Sequence, residues 1–101
     1  MDVREPLSLI EGEGKGEGKK EGSAMAMAIV LISAEHGKDR KVANEVKKLK
    51  GVEKAFLVSG LYDVVTTVRA GSAEEILALV YDKVRPIPGV RNSQTMFALE
   101  V

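Results

Sequence analysis

The chain predicts an α+β fold in the order β-α-β-β-α-β, the ferredoxin-like arrangement, with a four-stranded antiparallel sheet and two helices on one of its faces. Three observations carry this reading. The run Met25 to Ser33 is continuously apolar and rich in β-branched residues, and it is too short for an ordinary buried helix. Two stretches further on repeat apolar residues at helical spacing. Strand, helix and a Gly-Val pair occur twice in the same order, with Gly51-Val52 in one half and Gly89-Val90 in the other. Right-handed crossovers then put both helices on the same side of the sheet.

Each element has its own local cause. In the first strand Met27, Ile29 and Leu31 alternate with Ala28, Val30 and Ile32, so both faces are apolar. Lys38 to Lys50 carries Val42, Val46 and Leu49 on one helical face. Its lysines gather at the C-terminal end, where they suit the helix dipole, and Gly51 can close it. Glu53 to Ser59 and Asp63 to Arg69 read as the second and third strands, joined at a tight junction by Gly60. Ser72-Ala73-Glu74-Glu75 reads as a capping box for a second helix that buries Ile76, Leu79, Val80 and Val84. Pro86 and Pro88 end that helix. Ser93 to Val101 places Thr95, Phe97, Leu99 and Val101 on one face of a fourth strand.

Composition excludes several classes. The 101 residues are 45% hydrophobic and 30% charged, which fits one globular domain. There is no cysteine, which excludes disulfides and Cys-based metal sites, the single histidine, His36, cannot build a zinc site alone, and no cofactor is expected. The formal net charge is zero, which gives no general attraction to nucleic acid. The helix face bearing Lys38, Arg40, Lys41, Lys47, Lys48 and Lys50 against Asp39 and Glu45 lacks the interleaved aromatics of a nucleic-acid surface and reads as solvated. No apolar run approaches the roughly 18 residues that span a bilayer, and Met1 to Ala24 does not resemble a signal peptide, so a cytoplasmic location without membrane contact is expected. Scarce Asn and Gln beside abundant Lys and Glu is the bias of heat-adapted proteins.

Domain organisation follows the same cues. Residues 1–24 alternate glycine with charge, as in Glu11-Gly12-Glu13-Gly14-Lys15-Gly16, and are expected to form a flexible Gly/Glu/Lys-rich tail. The glycines from Gly12 to Gly22 all stand at even positions, so neither phosphate-binding fingerprint, each of which needs an odd spacing, can occur. Residues 25–101 form the folded unit. Two helices can cover only one face of its sheet, while the first strand is apolar on both. The other face therefore calls for a partner, and a homodimer with sheet packed on sheet is expected.

The candidate site is the junction Gly60-Leu61-Tyr62-Asp63. Asp63 is its only carboxylate. It reads either as a turn residue bonding nearby backbone N–H groups or as an acceptor for a ligand ammonium. Tyr62 supplies an aromatic wall or core packing. Ser93 and Thr95 present two hydroxyls on one face of the last strand, for ordinary strand bonding or for a ligand. No acid–base pair can be named around His36.

Gly60-x-x-Asp63 followed by a Val/Thr strand, and Pro88-Gly89-Val90-x-x-Ser93-x-Thr95 before the last strand, resemble the effector-binding domain of the Lrp/AsnC, or feast/famine, transcription regulators over residues 27 to 101. The resemblance implies the same ferredoxin-like fold, dimers formed through the sheets into a dimeric α/β-barrel-like unit, and an octamer-like ring of dimers. It also implies an amino acid or related metabolite bound where dimers meet, with Gly60, Leu61, Tyr62, Asp63, Ser93 and Thr95 as ligand-binding residues and no catalytic residue. Members of full length carry an N-terminal helix-turn-helix. The segment before residue 25 is Gly/Glu/Lys-rich and does not fit one, so a stand-alone effector domain is expected, without direct DNA binding and acting through full-length relatives. Two alternatives share the element order. An ACT-type amino-acid-binding module usually has glycine and an acid after the first strand, which Glu35-His36-Gly37 matches only loosely. A small dimeric α/β-barrel enzyme needs an acid–base pair that spacing does not supply.

Overall fold

The computed structural model describes residues 25–101, and the tail expected over 1–24 lies outside the described residues. Strand β1 (Ala26–Ala34), helix α1 (Asp39–Val46), strands β2 (Val52–Leu57) and β3 (Val64–Ala70), helix α2 (Ala73–Leu79) and strand β4 (Val90–Ala98) follow one another in that order. The sheet runs β2-β3-β1-β4, and every neighbouring pair is antiparallel. The fold is ferredoxin-like, and β1 lies at its interior between β3 and β4.

Alternation along β1 sets the two faces. Ala28, Val30, Ile32 and Ala34 are buried against the helices, together with Val64, Thr66 and Val68 of β3. Val42 and Val46 of α1 and Ile76 of α2 close this core from above. Directly opposite residues share a face. The pairings of Met27 with Arg69 and Ala98, of Ile29 with Thr67 and Met96, and of Leu31 with Val65 and Gln94 therefore define the second face. Phe56, opposite Val65, joins them and is 49% exposed. Among the described elements no helix covers this face.

Several boundaries differ from the sequence expectation. Helix α1 ends at Val46, and the chain then tightens into turns in which Leu49 N–H donates to the Val46 carbonyl at 3.0 Å. That tightening brings Leu49 against the core, which keeps the apolar spacing without further α-helix. The lysines that follow fall in these turns rather than in the last helical turn. Strand β4 begins at Val90 instead of Ser93 and stops at Ala98. Ala98 pairs with Met27, near the start of β1, so Leu99 and Val101 have no ladder to join and stand exposed.

Helix α2 is capped as its sequence requires. Ser72 Oγ accepts the Glu75 N–H at 3.1 Å. The reciprocal bond is displaced by one residue, since Glu75 Oε1 accepts from Gly71 N–H at 2.9 Å. The helix continues through Val84 as a π turn over Val80–Val84, in which Arg85 N–H donates to the Val80 carbonyl at 2.9 Å. Ile76, Val80 and Val84 are spaced four apart, and all three are buried in the core.

Two adjacent threonines test this two-faced description. Thr66 is buried on the helix side and its hydroxyl donates to the Val30 carbonyl at 3.2 Å. Thr67 is half-buried on the other face, where its Oγ1 is buried without a hydrogen-bond partner. In chemical denaturation Thr66→Val should lose about 1 kcal/mol, and Thr67→Val should be neutral or gain up to about 1 kcal/mol. Equal losses in both would contradict the assignment.

Candidate functional site

The junction between β2 and β3 sits at the end of the sheet where β1 finishes and β4 starts. Gly60 takes φ of 143°, in the region that glycine adopts freely, and is exposed. Leu61 projects at the tip and is 93% exposed. Tyr62 and Asp63 turn back and are half-buried.

Asp63 is tied into the sheet. Its N–H donates to the Ile32 carbonyl at 2.9 Å and its carbonyl accepts from Val58 N–H at 3.0 Å. Its Oδ2 accepts the N–H of buried Ala34 at 2.8 Å. Register explains why Ala34 needs this acceptor. A bulge between Ser33 and Ala34 shifts the pairing with β4, so Ser33 faces Asn92 while Ala34 faces Val90. Glu35 N–H then donates to the Gly89 carbonyl at 2.7 Å. Gly89 has φ of 100°, and a Cβ there would stand 3.0 Å from Lys38 Cβ, so it is fixed by backbone geometry. Asp63 thus uses one carboxylate oxygen to hold the end of β1 across the sheet, not the backbone of its own turn, while Oδ1 carries no bond among the described residues.

Tyr62 supplies the second link. Its hydroxyl donates to Gln94 Oε1 at 2.6 Å. Gln94 lies opposite Leu31, on the face that no helix covers. Ser93 and Thr95 lie opposite Ile32 and Val30, on the helix side, and are half-buried. The structure therefore brings Tyr62, Asp63 and Gln94 to one end of the uncovered face and sets Ser93 and Thr95 on the other side of the same strand. Gln94 was not singled out by sequence. The available signal was strict alternation, which separates it from Ser93 and Thr95 and gives Tyr62 a polar neighbour on an apolar face.

Among the described residues no group of three or more His, Cys, Asp or Glu could hold a metal ion, and no helix is long and apolar enough to cross a membrane. The arrangement offers an aromatic wall, a carboxylate oxygen, an amide and exposed backbone at the Gly60 turn. That set can hold a small polar molecule.

A model of the Lrp/AsnC ligand-binding domain matches residues 27–101. The chain belongs to this family. An uncharacterized HTH-type transcriptional regulator of Pyrococcus horikoshii is 44% identical over 57 residues, which are 56% of this chain and 38% of the relative. A second such regulator, from Pyrococcus abyssi, is 38% identical over 61 residues, 60% of this chain and 41% of the relative. The chain thus spans about four-tenths of the length of these curated relatives. Among solved structures, TTHA0845 from Thermus thermophilus superposes with a TM-score of 0.71 at 26% identity, covering 75% of this chain and 95% of that one. The Lrp/AsnC domain described here is therefore similar both to parts of longer regulators and to nearly the whole of a shorter solved chain.

The bond between Asp63 and the Ala34 N–H is testable by substitution. Asp63→Ala leaves the buried Ala34 N–H unpaired and should cost about 1–3 kcal/mol in chemical denaturation. Asp63→Asn keeps an acceptor at that position and should lose less than half as much. If both variants unfold alike, the Ala34 bond is not what the side chain provides.

Proposed function

We propose that this Lrp/AsnC domain is an effector-binding, oligomerising module that senses an amino acid or a closely related metabolite and modulates transcription. The observation that carries the reading is the family match over the whole folded unit, joined to a junction with Tyr62 and Asp63 at the border of an uncovered apolar face. Two copies pair through that face, and dimers assemble into an octamer-like ring. The ligand sits where dimers meet. The free oxygen of Asp63 takes its ammonium, the Gly60–Leu61 backbone and the Tyr62 ring form its wall, and the Gln94 amide borders it, while Ser93 and Thr95 face the helices and are left out of the site.

The module has no catalytic task. Its named relatives are regulators. It works in the cytoplasm by associating with full-length regulators of the same family, whose helix-turn-helix parts contact DNA.

The test uses Asp63→Asn, which preserves the fold. In a thermal-shift screen of the twenty amino acids, at least one should raise the melting temperature of the wild-type protein. Calorimetry should then show that ligand bound about tenfold or more weakly by Asp63→Asn, since a charge-assisted bond is replaced by a neutral one. Unchanged affinity would confine Asp63 to holding the end of β1.

A further inference from the structure

The helix side of the sheet is covered unevenly. Ala28 of β1 and Phe97 of β4 stand directly opposite one another on that side. Ala28 is fully buried, yet Phe97 is 51% exposed. Val30 and Thr95 repeat the contrast, the first fully buried and the second half-buried. Lateral placement is the cause. The sheet order puts β4 at an edge, beyond β1. Helix α2 turns Ile76 and Val80 into the core and Leu79 toward Gly51, on the α1 side. Helical geometry then sets Leu77 and Tyr81 on the opposite flank, toward β4. They are 40% and 60% exposed, and the Arg85 guanidinium lies over the Tyr81 ring, 4.9 Å from its centroid. An open apolar trough therefore runs between α2 and β4, with Leu77 and Tyr81 as its wall and Thr95 and Phe97 as its floor.

The preceding segment enters the fold beside this trough. Met27 pairs with Ala98, so the chain leading into β1 emerges at the end of β4 that carries Phe97. Within residues 1–24 the apolar side chains concentrate in Pro6-Leu7-Ser8-Leu9-Ile10, where Leu7 and Leu9 alternate with Ser8 as in a strand with one apolar face. The fourteen residues 11–24 that join this cluster to Met25 are only Gly, Glu, Lys, Ser and Ala. A Gly-rich leash of that length has a root-mean-square span of about 20 Å. That equals about six residues of strand, enough to double back and lay Leu7 and Leu9 level with Phe97 and Thr95.

We propose that Pro6–Ile10 of the same chain docks in this trough as an added edge strand beside β4, with Leu7 and Leu9 against Phe97, Leu77 and Tyr81. The added strand gives partners to the outer N–H and C=O groups of β4, which no described strand pairs. Pro6, which has no N–H to donate, starts the strand. The trough lies on the helix side, so it stays open whether or not two copies pair through the other face. Any further partner of this side must first displace Pro6–Ile10.

The chain has no cysteine, so Glu5→Cys gives a single attachment point for a nitroxide spin label. In NMR spectra of the full chain the label should broaden the Leu77, Thr95 and Phe97 signals beyond detection, and spare Val42 of α1 and Phe56 of the other face. Reducing the nitroxide with ascorbate should restore them. Leu7→Glu combined with Leu9→Glu, outside the folded unit, should also restore them, and Leu77→Ser should do the same from the trough. A mixture of isotope-labelled chain without nitroxide and nitroxide-labelled chain without isotope should show no broadening, because the segment docks on its own chain. Broadening in that mixture would assign the trough to another copy, and broadening centred on Phe56 would put the segment on the other face. Broadening spread evenly over the surface, or indifferent to the variants, would mean that the segment does not dock. Each of these results overturns the proposal.

Discussion

The structure depends on one strand that is apolar on both sides. β1 occupies the interior of the sheet, and every second residue of it is buried beneath the helices. Burying one such valine or isoleucine side chain is worth about 1.5–3 kcal/mol, so this row anchors the single-chain core. Met27, Ile29 and Leu31 form the other row, and within one chain they remain half-exposed beside Phe56 and Met96. The helices are committed to the first face by their own apolar stripes. Among the described residues nothing covers the second face, and the proposed partner, a second copy, would present a surface of the same chemistry.

The ends of this sheet carry the polar chemistry. At one end, the bulge after Ser33 displaces the Ala34 N–H from regular pairing, and the Asp63 carboxylate accepts it. Tyr62 is drawn across to Gln94 beside it. At the other end Gly51, Gly71 and Leu79 line a hollow bordered by Lys50 and Glu75. Strand termini are where backbone groups run out of partners and side chains must replace them. The Asp63 junction follows from that shortage and does not interrupt the core.

The central features of this fold were legible because they rest on local rules. Alternation in β1, the Val42–Val46 stripe and the Ser72 cap each specify their element within a few residues. The places where sequence fell short depend on pairing. Nothing within Ser93 to Val101 tells that β4 starts at Val90 and stops at Ala98, because those limits belong to β1 and to the bulge at Ser33. The π turn at Val80 leaves no mark in the sequence, because Ile76, Val80 and Val84 have the spacing of an ordinary α-helical face. At the site, Asp63 could be singled out as the only carboxylate of a turn, but its partner Ala34 is 29 residues away in sequence. Gln94 was hidden between two more conspicuous hydroxyls, and only register shows that it faces Tyr62.

The pairing of two chains through the uncovered face is the central claim, and the mass of the protein in solution tests it most directly. Light scattering on the purified chain at micromolar concentration should give an even multiple of the 10.9 kDa protomer, with no monomer present. A stable, well-folded monomer under those conditions would mean that Met27, Ile29, Leu31 and Phe56 tolerate water, and would contradict the account.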